Sequence, residues 1–222
     1  DHNLALATAA ARGEFGRFLA QMEGGSADVQ VLSLSDSLKP IAEAGVVTEA
    51  ALRNGCDVAY AKADEILRDD NGLPDQGVLS GDELDSNGLN RDDIAAINLY
   101  TQNVLYGPMN DALRSKLRSQ ELDRIRPFWH YIGLLQLALL KLEPPETQGL
   151  YRGISGLPAT FFEELQRKRE HEQPEVWWPF TSTSTSEAAA RRPTFLWGDV
   201  AKQVLFKVAS EGTQGRDIKK YS

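Results

Sequence analysis

Two short segments about thirty residues apart carry the groups best suited to chemistry. The first is Leu150-Tyr151-Arg152-Gly153. The second is Phe180-Thr181-Ser182-Thr183-Ser184, introduced by Trp177-Trp178-Pro179. A guanidinium presents a rigid donor fork that matches phosphate oxygens, where a lysine ammonium is only a point charge. On a strand behind bulky Tyr151, Arg152 would project into a cleft, and Gly153 would let a ligand approach the main chain closely. In the second segment, read as a strand, Ser182 and Ser184 share one face and Thr181 and Thr183 the other. A buried hydroxyl there can donate to a carboxylate and fix its rotamer without neutralising it. Taken singly, each segment also reads as an ordinary salt-bridged strand or a polar edge strand. Their order and spacing carry the signal.

The elements that must position these groups fall into a helical first part and a strand-bearing second part. Residues 3–23 read as an Ala-rich helix stopped by Gly24-Gly25. Residues 28–34 alternate and are open between strand, loop and helix start. Short helices fit 37–44, 47–54 and 55–68, the last two divided at Gly55, with Ser37 and Thr48 as capping candidates. From Asp69 to Asn90 the composition turns to Asp, Asn, Gly and Ser, with turn pairs Asn71-Gly72 and Asn87-Gly88. A calcium loop in the register Glu83-x-Asp85-x-Asn87-Gly88 fits poorly. It opens on Glu and puts Ile94 where a bidentate Glu is wanted. A solvated loop leading into a helix start at Asn90-Arg91-Asp92-Asp93 is the better reading.

Residues 91–120 have apolar positions at helical intervals with a break near Gly107-Pro108, and 122–142 form a helix apolar on nearly all faces. After Pro144-Pro145 the pattern changes to short strands at 149–154, 178–184 and 202–209, with helices near 158–170 and 186–192. Helices first and strands later predict an α+β fold rather than an alternating parallel sheet.

Composition narrows the partners. Of the 222 residues, 41% are apolar and 25% charged, enough for a real core without disulfide staples. The net charge of −8 argues against nucleic-acid binding, which needs clustered Lys and Arg to release counterions. The single cysteine, Cys56, has no intrachain partner, and the scattered His2, His130 and His171 offer no zinc spacing, so no metal is expected. One thiol leans towards a cytoplasmic setting over a secreted one. No secretory leader is read at Asp1-His2-Asn3. The apolar stretch from Phe128 to Leu142 is too short for a membrane span of about 20 residues.

Together, the two segments resemble the Arg and Ser strands of the arginine-type (R-S-E) mono-ADP-ribosyltransferases of eukaryotic kind. Ala96-Ile97-Asn98-Leu99-Tyr100-Thr101, with Tyr106, Asn110 and Leu113-Arg114, is similar to the helical region ahead of the Arg strand. Val204 to Val208 and Gly215-Arg216-Asp217-Ile218 resemble the strand and turn that lead to a Glu-x-Glu. The resemblance covers residues 91–222. It divides the chain into a helical extension, 1–90, and a transferase-like domain, 91–222, with helices packed on a small β-sandwich.

Residue by residue, the resemblance implies that Arg152 binds the NAD phosphates and that the Gly153 main chain bonds the nicotinamide amide. Ser182 would position a catalytic glutamate, with Thr183 and Ser184 supporting its strand. Phe195, with Trp197 second, would stack on nicotinamide. Tyr106 and Asn110 are candidates for the adenosine side. Neither Glu187 nor Glu211 is placed for the final carboxylate, so the Glu-x-Glu is expected beyond Ser222. The implied activity is transfer of ADP-ribose from NAD, as substrate, to an exposed arginine of a protein acceptor, with release of nicotinamide. The alternatives are an NAD glycohydrolase and an inactive NAD-binding or interaction module.

Overall fold

The computed structural model describes residues 32–75, 77–114, 122–143, 149–171, 180, 182–193, 196, 198–208 and 215–222. They fall into two compact units, one drawn from 32–144 with 216–222 and the other from 145–215. The first holds helices α1 (Leu34–Glu43), α2 (Glu49–Asp70), α3 (Arg91–Thr101), α4 (Tyr106–Arg114), α5 (Leu122–Ile125) and α6 (Trp129–Lys141). The second holds β1 (Leu150–Ile154), α7 (Ala159–Glu170), α8 (Glu187–Ala190) and β2 (Val204–Val208). The helix expected at 3–23 lies outside the described residues.

In the helical unit α3 is the centre, with Ile94, Ala95, Ala96, Ile97 and Leu99 all fully buried. Its start is fixed locally: the Asn90 side chain accepts from the Asp93 N–H while the Asp93 carboxylate accepts from the Asn90 N–H, a reciprocal box that satisfies two otherwise orphaned donors. The α6 helix covers α3, burying Tyr131, Leu134, Leu135 and Ala138, and the Tyr131 hydroxyl donates to the Ala96 carbonyl at 2.9 Å. The α1 helix packs its buried Leu34, Leu38 and Ile41 in the same core. Ser33, not Ser37, caps it. Ser37 is buried inside the first turn, and its hydroxyl donates to the Leu34 carbonyl.

Three expected boundaries move. The divide at Gly55 does not exist: α2 runs unbroken for 22 residues from its Thr48 cap. A glycine inside a helix costs about 1 kcal/mol against alanine. Here the missing side chain is what lets α2 approach α3, since a Cβ at Gly55 would lie 2.8 Å from Leu99 Cδ1. Close packing outweighs propensity. The break between α3 and α4 falls at 102–105, and Gly107-Pro108 sit in the first turn of α4, where a missing N–H is no loss. At Pro127 the expected single helix divides into α5, a 3-10 turn (Arg126–Phe128) and α6, because proline cannot donate to the preceding turn.

The acidic loop is not merely solvated. Asp85 is buried and accepts from the N–H groups of Asn87 and Leu89, both at 2.9 Å, and from the Tyr221 hydroxyl at 2.6 Å. Asn87 Nδ2 donates to that hydroxyl, and Asn98 Nδ2 donates to the Tyr221 carbonyl. Lys220 joins Asp70 at 2.6 Å and Asp85 at 3.3 Å. Burial acts to raise the Asp85 pKa. The bonds from Tyr221, Leu89, Asn87 and Lys220 outweigh it and hold the carboxyl below its usual range. The loop is thus the seat of the 3-10 turn Lys219–Tyr221.

In the second unit β1 and β2 pair antiparallel, with Arg152 opposite Phe206 and Gly153 opposite Leu205. The α7 helix meets the sheet through Phe161, edge-on to Phe206 at 6.5 Å. Ser186 caps the single turn of α8, shorter than the expected 186–192, and α8 packs on β1. Of the expected strand 178–184, the described residues show one isolated bridge, Tyr151 to Ser184. The α+β character holds, with a two-stranded sheet among the described residues.

Candidate active site

Strand alternation decides what β1 offers. Tyr151 exchanges both main-chain bonds with Ser184, its N–H donating at 2.7 Å and its carbonyl accepting at 2.8 Å. In an antiparallel ladder successive residues turn their N–H and C=O to opposite edges. Gly153 therefore presents its main-chain groups to the same edge as Tyr151, while Arg152 turns its own towards β2. A regular continuation of the bridge would set Gly153 opposite Ser182. Among the described residues the bridge stops at Ser184, and Arg152 Nη1 donates instead to the Ser182 carbonyl at 2.9 Å. The guanidinium and the main chain of Gly153 thus meet at one strand edge, facing the hydroxyl segment.

The expected reason for Gly153 needs correcting. A Cβ there would collide with the Ala190 carbonyl oxygen and come within 2.9 Å of Leu196 Cγ. On its Cα face the close approach is made by the chain's own α8 and Leu196, not by open space. The edge towards Ser184 is a different direction, set by the N–H and C=O.

The hydroxyl residues divide. Ser182 and Thr183 are exposed. Ser184 is half-buried, and its Oγ accepts from the Ser186 N–H at 3.1 Å, tying the bridge to the α8 cap. Phe195 and Trp197, the expected stacking rings, and Thr181 lie outside the described residues. In the helical unit Tyr106 is half-buried and tilted against Tyr100 at 5.6 Å. Asn110 is fully buried, and among the described residues neither of its amide atoms has a hydrogen-bond partner.

Sequence reasoning missed Ala190 and Leu196 as the wall behind Gly153. The one available signal was Ser186-Glu187, a cap followed by a first-turn acid. It also missed Asp85 as a partner of Tyr221, a pair 136 residues apart with no local signature.

Other reactive groups are quiet. Burial, with Asp57 adding to it, pushes the Cys56 thiol up to about 11, so it is protonated near neutrality. It lines a groove of about 570 Å³ between α1 and α2. Among the described residues no group of His, Cys, Asp and Glu could hold a metal ion, and no helix is long and apolar enough to cross a membrane.

An α+β protein with an arginine and a glycine main chain at one strand edge, facing a Ser/Thr segment, has the parts of a nucleotide-handling transferase. The family model for NAD:arginine ADP-ribosyltransferase matches residues 46–222, and the chain belongs to that family. NAD is accordingly its substrate. The match starts within the region before residue 91 and takes in all of α2 and the acidic loop. No curated protein and no solved structure matches the chain significantly.

Proposed function

We propose that the protein transfers ADP-ribose from NAD to an arginine of a protein acceptor and releases nicotinamide. The observation that carries this reading is the Arg152 guanidinium held at the Ser182 carbonyl, on the edge where Gly153 presents its main chain. A pyrophosphate would be gripped by the planar donor fork of that guanidinium. The nicotinamide carboxamide, with one donor and one acceptor, complements the N–H and C=O of Gly153, and Phe195 would stack on its ring.

The bond from nicotinamide nitrogen to ribose C1′ breaks with its electron pair leaving on nicotinamide. The ribose becomes oxocarbenium-like, and a guanidinium nitrogen of the acceptor then forms the new bond to C1′ and loses a proton. A carboxylate must stabilise that cation and take the proton. Ser182, supported by Thr183 and Ser184, would orient that carboxylate. We read β1, β2 and the Ser184 bridge as part of one layer of a small sandwich.

Nicotinamide release measured with and without agmatine tests the reading. We expect agmatine to gain ADP-ribose. Nicotinamide release with agmatine left unmodified would replace the transferase by a glycohydrolase. No turnover and no NAD binding would leave an interaction module.

A further inference from the structure

In the strand-bearing unit the chain closes a ring on β1. Ser184 bridges Tyr151, and six residues later the carbonyl of buried Ala190 is packed on the Cα of Gly153. The chain thus returns to the strand two residues from where it left. The turn between the two contacts decides where that carbonyl stands.

That turn is α8, four residues long and too short to hold itself, because nucleating a helical turn is unfavourable. Three bonds hold it, and all pass through Ser186. Its N–H donates to Ser184 Oγ at 3.1 Å, its carbonyl accepts from the Ala190 N–H at 3.1 Å, and its Oγ accepts from the Ala189 N–H at 3.2 Å. The Glu187–Arg191 pair adds to the turn but is exposed on both sides, where such pairs contribute little. Ser186 is itself exposed, so shortening its side chain opens no cavity. What alanine removes there is the acceptor of an otherwise orphaned helix N–H.

We propose that Ser186 is a positioning residue for the nicotinamide end of NAD. By capping α8 it seats the Ala190 carbonyl on Gly153, and so fixes the strand edge whose N–H and C=O take the carboxamide. This rests on the transferase reading above. Ser186 touches no reacting atom and acts only through α8 and Gly153. Its effect therefore falls on the nicotinamide half of the substrate. The pyrophosphate half is spared, because the Arg152 side chain grips it through its own donor fork.

The test measures inhibition of agmatine modification by nicotinamide and, separately, by ADP-ribose in the unsubstituted protein, Ser186→Ala and Ser186→Thr, with melting temperatures alongside. Ser186→Ala should raise the inhibition constant for nicotinamide about fivefold, the factor a lost cap can carry. The constant for ADP-ribose should stay within about twofold, well under that factor. Ser186→Thr keeps the accepting oxygen on an extended backbone that suits a β-branched residue, and should restore nicotinamide inhibition. Three results would overturn the assignment and leave the transferase intact: nicotinamide inhibition unchanged in Ser186→Ala whatever its melting temperature, an equal loss for both inhibitors, or no restoration by threonine. Failure of the unsubstituted protein to modify agmatine would overturn both.

Discussion

Arg152 and Ser182 are joined across thirty residues of sequence by a hydrogen bond from guanidinium to main-chain carbonyl, 2.9 Å long. The bond stands where the ladder from Tyr151 and Ser184 would otherwise continue. It fixes one arm of a planar donor fork. A lysine could reach the same carbonyl but would present no second, parallel donor.

Arg152→Lys is therefore expected to weaken NAD binding by about tenfold or more, roughly 1.4 kcal/mol, with little change in melting temperature. Calorimetric titration with NAD reads the affinity directly. Unchanged affinity would remove Arg152 from the phosphate site.

Gly153→Ala places a methyl group against the Ala190 carbonyl and Leu196. The carbonyl is backbone and cannot rotate away, so α8 must shift from β1. The expected cost is about 1–3 kcal/mol of stability, read as a lower denaturation midpoint. A neutral result would show that α8 is free to yield.

Gly55→Ala sets two effects against each other. Helix propensity favours alanine by about 1 kcal/mol, while overpacking against buried Leu99 costs about 1–3 kcal/mol. Leu99 is fully buried, so its side chain must repack among core neighbours to make room, and a net loss is expected. A rise in the urea midpoint would mean that the α2–α3 contact is looser than the packing indicates.

The seat of Tyr221 gives stability a pH signature. The folded Asp85 pKa is lowered, so its contribution is present above about 3.9, the free aspartate value, and is lost as pH falls through the folded value. For Lys220, burial lowers the pKa but the bonds to Asp70 and Asp85 outweigh it, and the net shift is upward. Its contribution is full below about 10.4 and is lost as pH rises through the raised value. Thermal melts should show a plateau at intermediate pH with a fall on each side. Asp85→Asn should lower the plateau by about 1–3 kcal/mol and flatten the acid limb. An acid limb identical to that of the unsubstituted protein would assign the fall to other carboxylates.

The sequence by itself determined what is local. Thr48 and the pair Asn90 and Asp93 start their helices through bonds three residues long, and Pro127 interrupts one because of its own ring. The chemical identity of the Arg152 and Ser182 segments, and their order, were equally readable, because a guanidinium or a hydroxyl carries its chemistry wherever it lies. Tertiary structure decided what depends on distant neighbours. Gly55 reads as a breaker until Leu99 occupies the space above it. Asp85 reads as a solvated loop acid until Tyr221, 136 residues on, donates to it. Gly153 reads as an opening for a ligand until Ala190 fills that side. In each case the energy comes from a contact between residues far apart in the chain, and the local pattern carries no trace of the partner.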